Sequence, residues 1–223
     1  MLNRREVIRA GAGASAAVLL GGASAFAKAS KASDPMEGEA YFVGPGGMFK
    51  VEMVHRIAPV MVPTTFDAAC RYWGRAGSTG VLMAKRGLDV YVLDVDRDQL
   101  SPFEFETHVE DVARADDAMF GLLIDIVVEQ EPGSGGAIQA EYTKRRLQGS
   151  RVHSELATMS KEQRAHPWAI AMESGEVFVV EADWTQGWID EHAAFPAGSH
   201  YGQVRSSSGA YHRLVKENVE NLA

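Results

Sequence analysis

One cysteine, Cys70, serves the whole 223-residue chain. An intrachain disulfide is therefore excluded, and with neither a CxxC pair nor an HExxH stretch the common zinc motifs are excluded too. The seven histidines are scattered, so no metal site is expected. Positive charge is also scarce. There are 22 Lys and Arg against 30 Asp and Glu, a formal net charge of −8, with no basic cluster. That balance argues against a nucleic-acid partner. Long apolar runs are missing as well. The N-terminal one is short and rich in glycine and alanine, too poor for a stable membrane span.

That N-terminal stretch instead has the layout of an export signal. Arg4 and Arg5 form a twin-arginine pair, and Arg9 adds to the basic start. An apolar stretch runs from Ala10 to Phe26, and Ala25-Phe26-Ala27 offers small residues at a cleavage position. The reading is a Tat-type signal peptide over 1–27 and a polar linker over 28–38 (KASKASDPMEG), followed by one domain over 39–223. It places the mature protein in the periplasm or outside a bacterial cell, with the Tat translocase as a partner during export. Roughly 200 residues remain, enough for one sizeable core.

Hydrophobic patterning along the domain alternates strands with helices. Strands are expected over 40–44, 48–56, 58–63, 88–96 and 122–128, and in the second apolar run of 168–183. Residues 64–77 read as loop. Residues 78–87 (STGVLMAKRG) read as a short helix closed by Gly87. Helices are expected over 103–123 and 137–148, and over 211–223 at the end of the sequence. Residues 149–168 are too polar to assign. Residues 184–199 read as loop with a helical turn, and 200–207 as an edge strand. This is an α/β fold, a mostly parallel sheet flanked by helices with an antiparallel N-terminal edge.

The segment EQEPGSGGAIQAEY (129–142) places Ser134 in a glycine-rich turn between a strand and a helix, where many enzymes hold a nucleophile. With PVMVPTTFDAACRYW, LMAKRGLDVYVLDVDRDQLSPFEFETHVEDV, VFVVEADWTQGWIDEH and GAYHRLVKE, it resembles the α/β-hydrolase superfamily, in particular the monoacylglycerol lipase, lysophospholipase and S33 aminopeptidase-like branch. The order Ser134, Asp183, His212 is the chain order of that superfamily's triad. The elbow departs from G-x-S-x-G, reading Pro132-Gly133-Ser134-Gly135-Gly136, and Pro63-Thr64 stands where the branch has His-Gly. The cap is reduced or absent.

The resemblance implies an exported serine hydrolase acting on a small acyl ester without a cofactor. Ser134 would attack, His212 would shuttle the proton and Asp183 would orient His212. Backbone N–H groups of Gly135 and of Thr64 or Thr65 would hold the oxyanion. Trp73, Trp184 and Trp188 would line the acyl pocket. His200 and Asp190 are rival base and acid. Asp94 and Asp96 could mark a cation or ribose site in another α/β fold, and Cys70 is a candidate partner for a histidine. The alternative is an inactive α/β-hydrolase-like protein that binds a small molecule or a protein. A third reading is an unrelated periplasmic ligand-binding protein. On the signal-peptide reading, a protein beginning at residue 28 should melt in the same cooperative transition as the full chain. A chain that loses that transition on truncation would refute the reading.

Overall fold

The computed structural model describes residues 47–74, 79–120, 124–130, 132–147, 149–156 and 158–220. The expected signal peptide, linker and 40–44 strand lie outside them. Seven strands form one sheet: β1 (His55–Ile57), β2 (Ala68–Trp73), β3 (Thr79–Arg86), β4 (Asp89–Arg97), β5 (Ile124–Gln130), β6 (Arg151–Leu156) and β7 (Val177–Val180). Among the described residues five helices flank it: α1 (Pro102–Phe120), α2 (Ser134–Arg146), α3 (Lys161–Glu173), α4 (Thr185–Ala194) and α5 (Gly202–Glu220). The sheet order is β1-β7-β4-β3-β2-β5-β6. β3 alone runs against the others, pairing antiparallel with β2 and with β4, while every other neighbouring pair is parallel. The mixed α/β class expected from sequence is what the chain adopts. The antiparallel strand, however, lies in the middle of the sheet, and the first strand, β1, is parallel to its neighbour β7.

β2 and β3 are where sequence and structure differ most. The supposed loop over 64–77 contains β2, and the supposed helix over 78–87 is β3. Both are central strands buried on both faces, so they carry no apolar/polar alternation to read. β3 is built from Leu, Met, Ala, Lys and Arg, which favour helix in isolation. Pairing on both sides overrides that preference. Gly87 does adopt a left-handed conformation, φ 63°, but as the first residue of the two-residue turn joining β3 to β4. Its N–H donates to Asp67 Oδ2 at 2.7 Å. The unassigned 149–168 segment contains β6 and the start of α3. Ser160 and Gln163 form a reciprocal capping box there, each accepting the other's backbone N–H at 3.2 Å. The 58–63 strand is a 3-10 turn over Pro59–Met61, and residues 200–207 run into α5 instead of forming an edge strand.

The strand period of two divides the core between the two faces. Cys70 and Tyr72 of β2 point with Val81, Met83 and Val127 toward α3, α4 and α5, where Trp168, Trp188 and Leu214 are fully buried. Trp73, Ile126 and Val128 point the other way, against Phe105, Val109 and Val112 of α1. Each buried indole removes roughly 200 Å² from water, about 5 kcal/mol by area. Among the described residues, no helix is long and apolar enough to cross a membrane.

α5 packs directly against the sheet through small facing residues. A Cβ on Gly209 would stand 2.5 Å from the Tyr72 ring, and one on Gly202 would stand 2.9 Å from Thr79 Oγ1. Gly187 in α4 is exposed, with nothing within 4 Å of its would-be Cβ. Chemical denaturation should therefore separate the two positions. Gly209→Ala is expected to cost about 1–3 kcal/mol through overpacking, whereas Gly187→Ala should stabilise by roughly 0.4–1 kcal/mol.

His192 sits between the two helical indoles. Trp168 Nε1 donates to its Nε2 at 3.1 Å, and its Nδ1 donates to the Trp188 carbonyl at 2.8 Å, an arrangement that only the neutral ring satisfies. Burial pushes its pKa down to about 3. The unfolded chain binds this proton below about pH 6.5 and the folded one does not. His192 thus contributes stability that is complete above that pH and is lost as the pH falls toward 3. Urea unfolding should show a loss of about 1 kcal/mol between pH 6.5 and 5.5. The same pH step should cost His192→Gln much less, and equal slopes in the two proteins would refute the assignment.

Candidate functional site

In open α/β sheets the place for a ligand is beyond the carboxyl ends of the strands. β2 and β5 are parallel neighbours, so their exits at Gly74 and Gln130 lie side by side, with β6 beyond β5. The first turns of α5 pack against this end. Ser206 Oγ and the Gly74 N–H both donate to the Thr79 carbonyl, at 2.9 and 3.0 Å. Glu191 of α4 caps α5, accepting from the backbone of Gln203 at 2.6 Å and from its side chain at 2.8 Å.

The centre of the site is Glu129, whose side chain is fully buried. A carboxylate in that position requires counter-charge, and two helices supply it. Arg164 of α3 donates to Oε1 at 3.0 Å, and Arg205 of α5 donates through Nε to Oε2 at 2.6 Å and through Nη2 to Oε1. Arg164 also donates to the Tyr72 hydroxyl. Burial drives the Tyr72 pKa upward against the opposing pull of Arg164, so the phenol stays neutral. Hydrogen bonding to Glu129 raises the Arg205 pKa. Glu155 of β6 lies directly across from Glu129 in the parallel register.

Two further buried charge clusters belong to the same sheet. Asp125, four residues before Glu129 and so on the same face of β5, accepts from Arg213 of α5 at 2.6 Å and lies 2.7 Å from Arg151 of β6. On the opposite face Arg71 of β2 forks onto Asp116 of α1 at 2.6 and 2.8 Å and reaches Asp94 at 2.9 Å. Burial alone would lower the Arg71 pKa, but Asp116 and Asp94 outweigh it and hold it raised. A cleft of about 240 Å³ lies between α1, α2 and the start of β5, lined among others by Arg114, Asp116, Arg146 and Arg151.

The residues singled out from sequence are dispersed. Ser134 is the exposed first residue of α2, after Gly133 at φ 98°, so the strand–turn–helix geometry is present. Asp183 is exposed after β7, four strand spacings from β5, or about 19 Å. His212 lies on α5 beside Arg213, toward the other end of β5, and donates to the Arg164 carbonyl at 3.1 Å. The triad is not assembled. Thr64 and Thr65 are exposed before β2, at the opposite end of the parallel strands from Gly135, and do not share an oxyanion site with it. Trp73 packs edge-on against Phe105 at 5.6 Å on one face of the sheet. Trp188 is buried on the other face, donating to Ser207 Oγ at 3.0 Å, and Trp184 is half-buried ahead of α4, so the three line no common pocket. His200 is exposed, and Asp190 accepts from Gln186. Asp94 and Asp96 lie within β4, Asp94 held by Arg71 and Asp96 3.0 Å from His108. Cys70 is buried within β2.

Glu129, Arg164 and Arg205 were not singled out from sequence. Their signal was a charge at the end of an apolar strand, which demands a partner that sequence cannot locate. The donor set does not suit a divalent cation. Such ions want several oxygen ligands, with carboxylates prominent. Here two guanidiniums occupy both oxygens of Glu129, and among the described residues no group of three or more Asp, Glu, His or Cys converges.

No protein-family model and no curated protein matches the chain in sequence. Solved structures match it in fold. The nuclease domain of the human cytomegalovirus terminase, described as manganese-soaked, aligns with a TM-score of 0.56 at 10% identity, covering 74% of this chain and 90% of that one. The large terminase nuclease of thermophilic phage G20c with bound zinc gives 0.52 at 19% identity, covering 74% and 98%. The same nuclease with bound magnesium gives 0.50 at 20% identity, covering 76% and 98%. These neighbours have an RNase H-like nuclease fold, and they overturn the α/β-hydrolase resemblance. The serine esterase reading, its inactive-hydrolase alternative, the small acyl substrate and the exclusion of nucleic acid are corrected with it. The order of Ser134, Asp183 and His212 along the chain carried no information about strand order in the sheet, and net charge says nothing of which fold carries it. At these identities the likeness is one of fold: the chain has the architecture of terminase nuclease domains.

Proposed function

We propose that the protein binds nucleic acid. The observation that carries this reading is the extent of the likeness. It spans 90% and 98% of the viral and phage nuclease domains, well beyond a shared strand–helix–strand unit. The formal charge of −8 opposes long-range steering toward phosphate, so the contact depends on local arginines.

Fluorescence anisotropy with a labelled DNA duplex tests the reading. Binding is expected at low salt and should weaken by roughly tenfold or more between 50 and 200 mM salt as counterions compete. No change in anisotropy at about 50 mM salt, with the protein near the roughly 100 µM range of non-specific binding, would refute it.

A further inference from the structure

We infer that Arg164 and Arg205 close the carboxyl-end site of β2 and β5 to divalent cations, so that nucleic acid bound there is held and not cut. The nucleic-acid part rests on the function proposed above; the cation part stands on the geometry alone.

Glu129 and Glu155, directly opposite each other on β5 and β6, are the carboxylate pair from which an oxygen-ligand site would be built. Arg164 and Arg205 bring two positive charges onto Glu129 and use both of its oxygens. A cation there would have to displace them against like-charge repulsion at contact distance. Among the described residues no third Asp, Glu, His or Cys joins the pair. β2 ends in Gly74, where a Cβ would stand 2.6 Å from Ser206 Oγ, and the first turn of α5 reads Gly202-Gln203-Val204-Arg205. Glu191 nearby spends both its oxygens on Gln203. Glu129 is satisfied internally, as a buried carboxylate must be, and it is satisfied by guanidinium.

The test is a titration of the full chain with Mn²⁺, read by the electron paramagnetic resonance signal of free Mn²⁺, alongside incubation of a labelled duplex with protein and Mn²⁺. The wild type should leave the Mn²⁺ signal unchanged at micromolar metal and leave the duplex intact. Arg205→Asp, which sets a third carboxylate beside Glu129 and Glu155, should bind Mn²⁺ at least roughly tenfold more tightly. Adding Glu129→Gln should abolish that gain. If circular dichroism shows Arg205→Asp unfolded, Arg205→Gln removes the charge at similar length and should show a smaller gain. Micromolar Mn²⁺ binding by the wild type that Glu129→Gln abolishes would overturn the inference. So would Mn²⁺-dependent cutting by the wild type, or a folded Arg205 variant with unchanged affinity. Mn²⁺ silence without duplex binding would support the cation assignment and remove the proposed function, so the two fail separately.

Discussion

Two carboxylates on one face of β5 hold the last helix to the sheet. Glu129 takes Arg205 and Asp125 takes Arg213. Four strand residues span about 13 Å and eight helical residues about 12 Å, so both pairs are in register only when α5 runs along β5 in the reverse direction. Gly202, Ser206 and Gly209 let the helix approach closely enough for both arginines to reach. Burying Glu129 or Asp125 without a partner would cost several kcal/mol, so the arginines constrain where α5 can dock more than they add stability.

The same constraint decides the chemistry of the carboxyl ends of β2 and β5. The sheet places its strand exits and a helix start together there, a natural position for a ligand. In this chain the helix arrives with a guanidinium on its inner face and is drawn in by Glu129. α3 contributes a second guanidinium from Arg164, tied to Tyr72. The group that fastens the fold is therefore also the group that occupies the site. The opposite face repeats the device, with Arg71 held by Asp116 and Asp94 between β2, α1 and β4. Three charge clusters thus tie helices to strands in a chain with one cysteine and no disulfide.

Elements that carry their own periodicity were legible. β4 is valine-rich and bounded by turn residues, α1 shows helical spacing after Ser101-Pro102, and β5 with α2 reads as strand, glycine turn and helix. α5 was legible only in its second half. Its first half, GQVRSSSGA, has the small and β-branched residues of a loop or edge strand, and it is helical because those small residues fit against β2 and β3. β2 and β3 were misread because burial on both faces erases alternation. Of the site, Glu129 was visible as a charge beside an apolar run, while its partners lie 35 and 76 residues away. No local rule connects those positions.

By itself the sequence determined the α/β class, the need for a left-handed residue at Gly87 and the strand–turn–helix order around Ser134. It also placed Asp125 and Glu129 within and at the end of an apolar run, where a buried charge needs a partner. These are local matters of backbone sterics, hydrogen-bond reach and desolvation. Only the tertiary structure decided that β3 is a central antiparallel strand, that Ser134, Asp183 and His212 lie apart, and that Arg164 and Arg205 meet on Glu129. Strand order and helix docking come from which buried surfaces and charges satisfy one another across the whole chain, and spacing along the sequence does not contain that pairing.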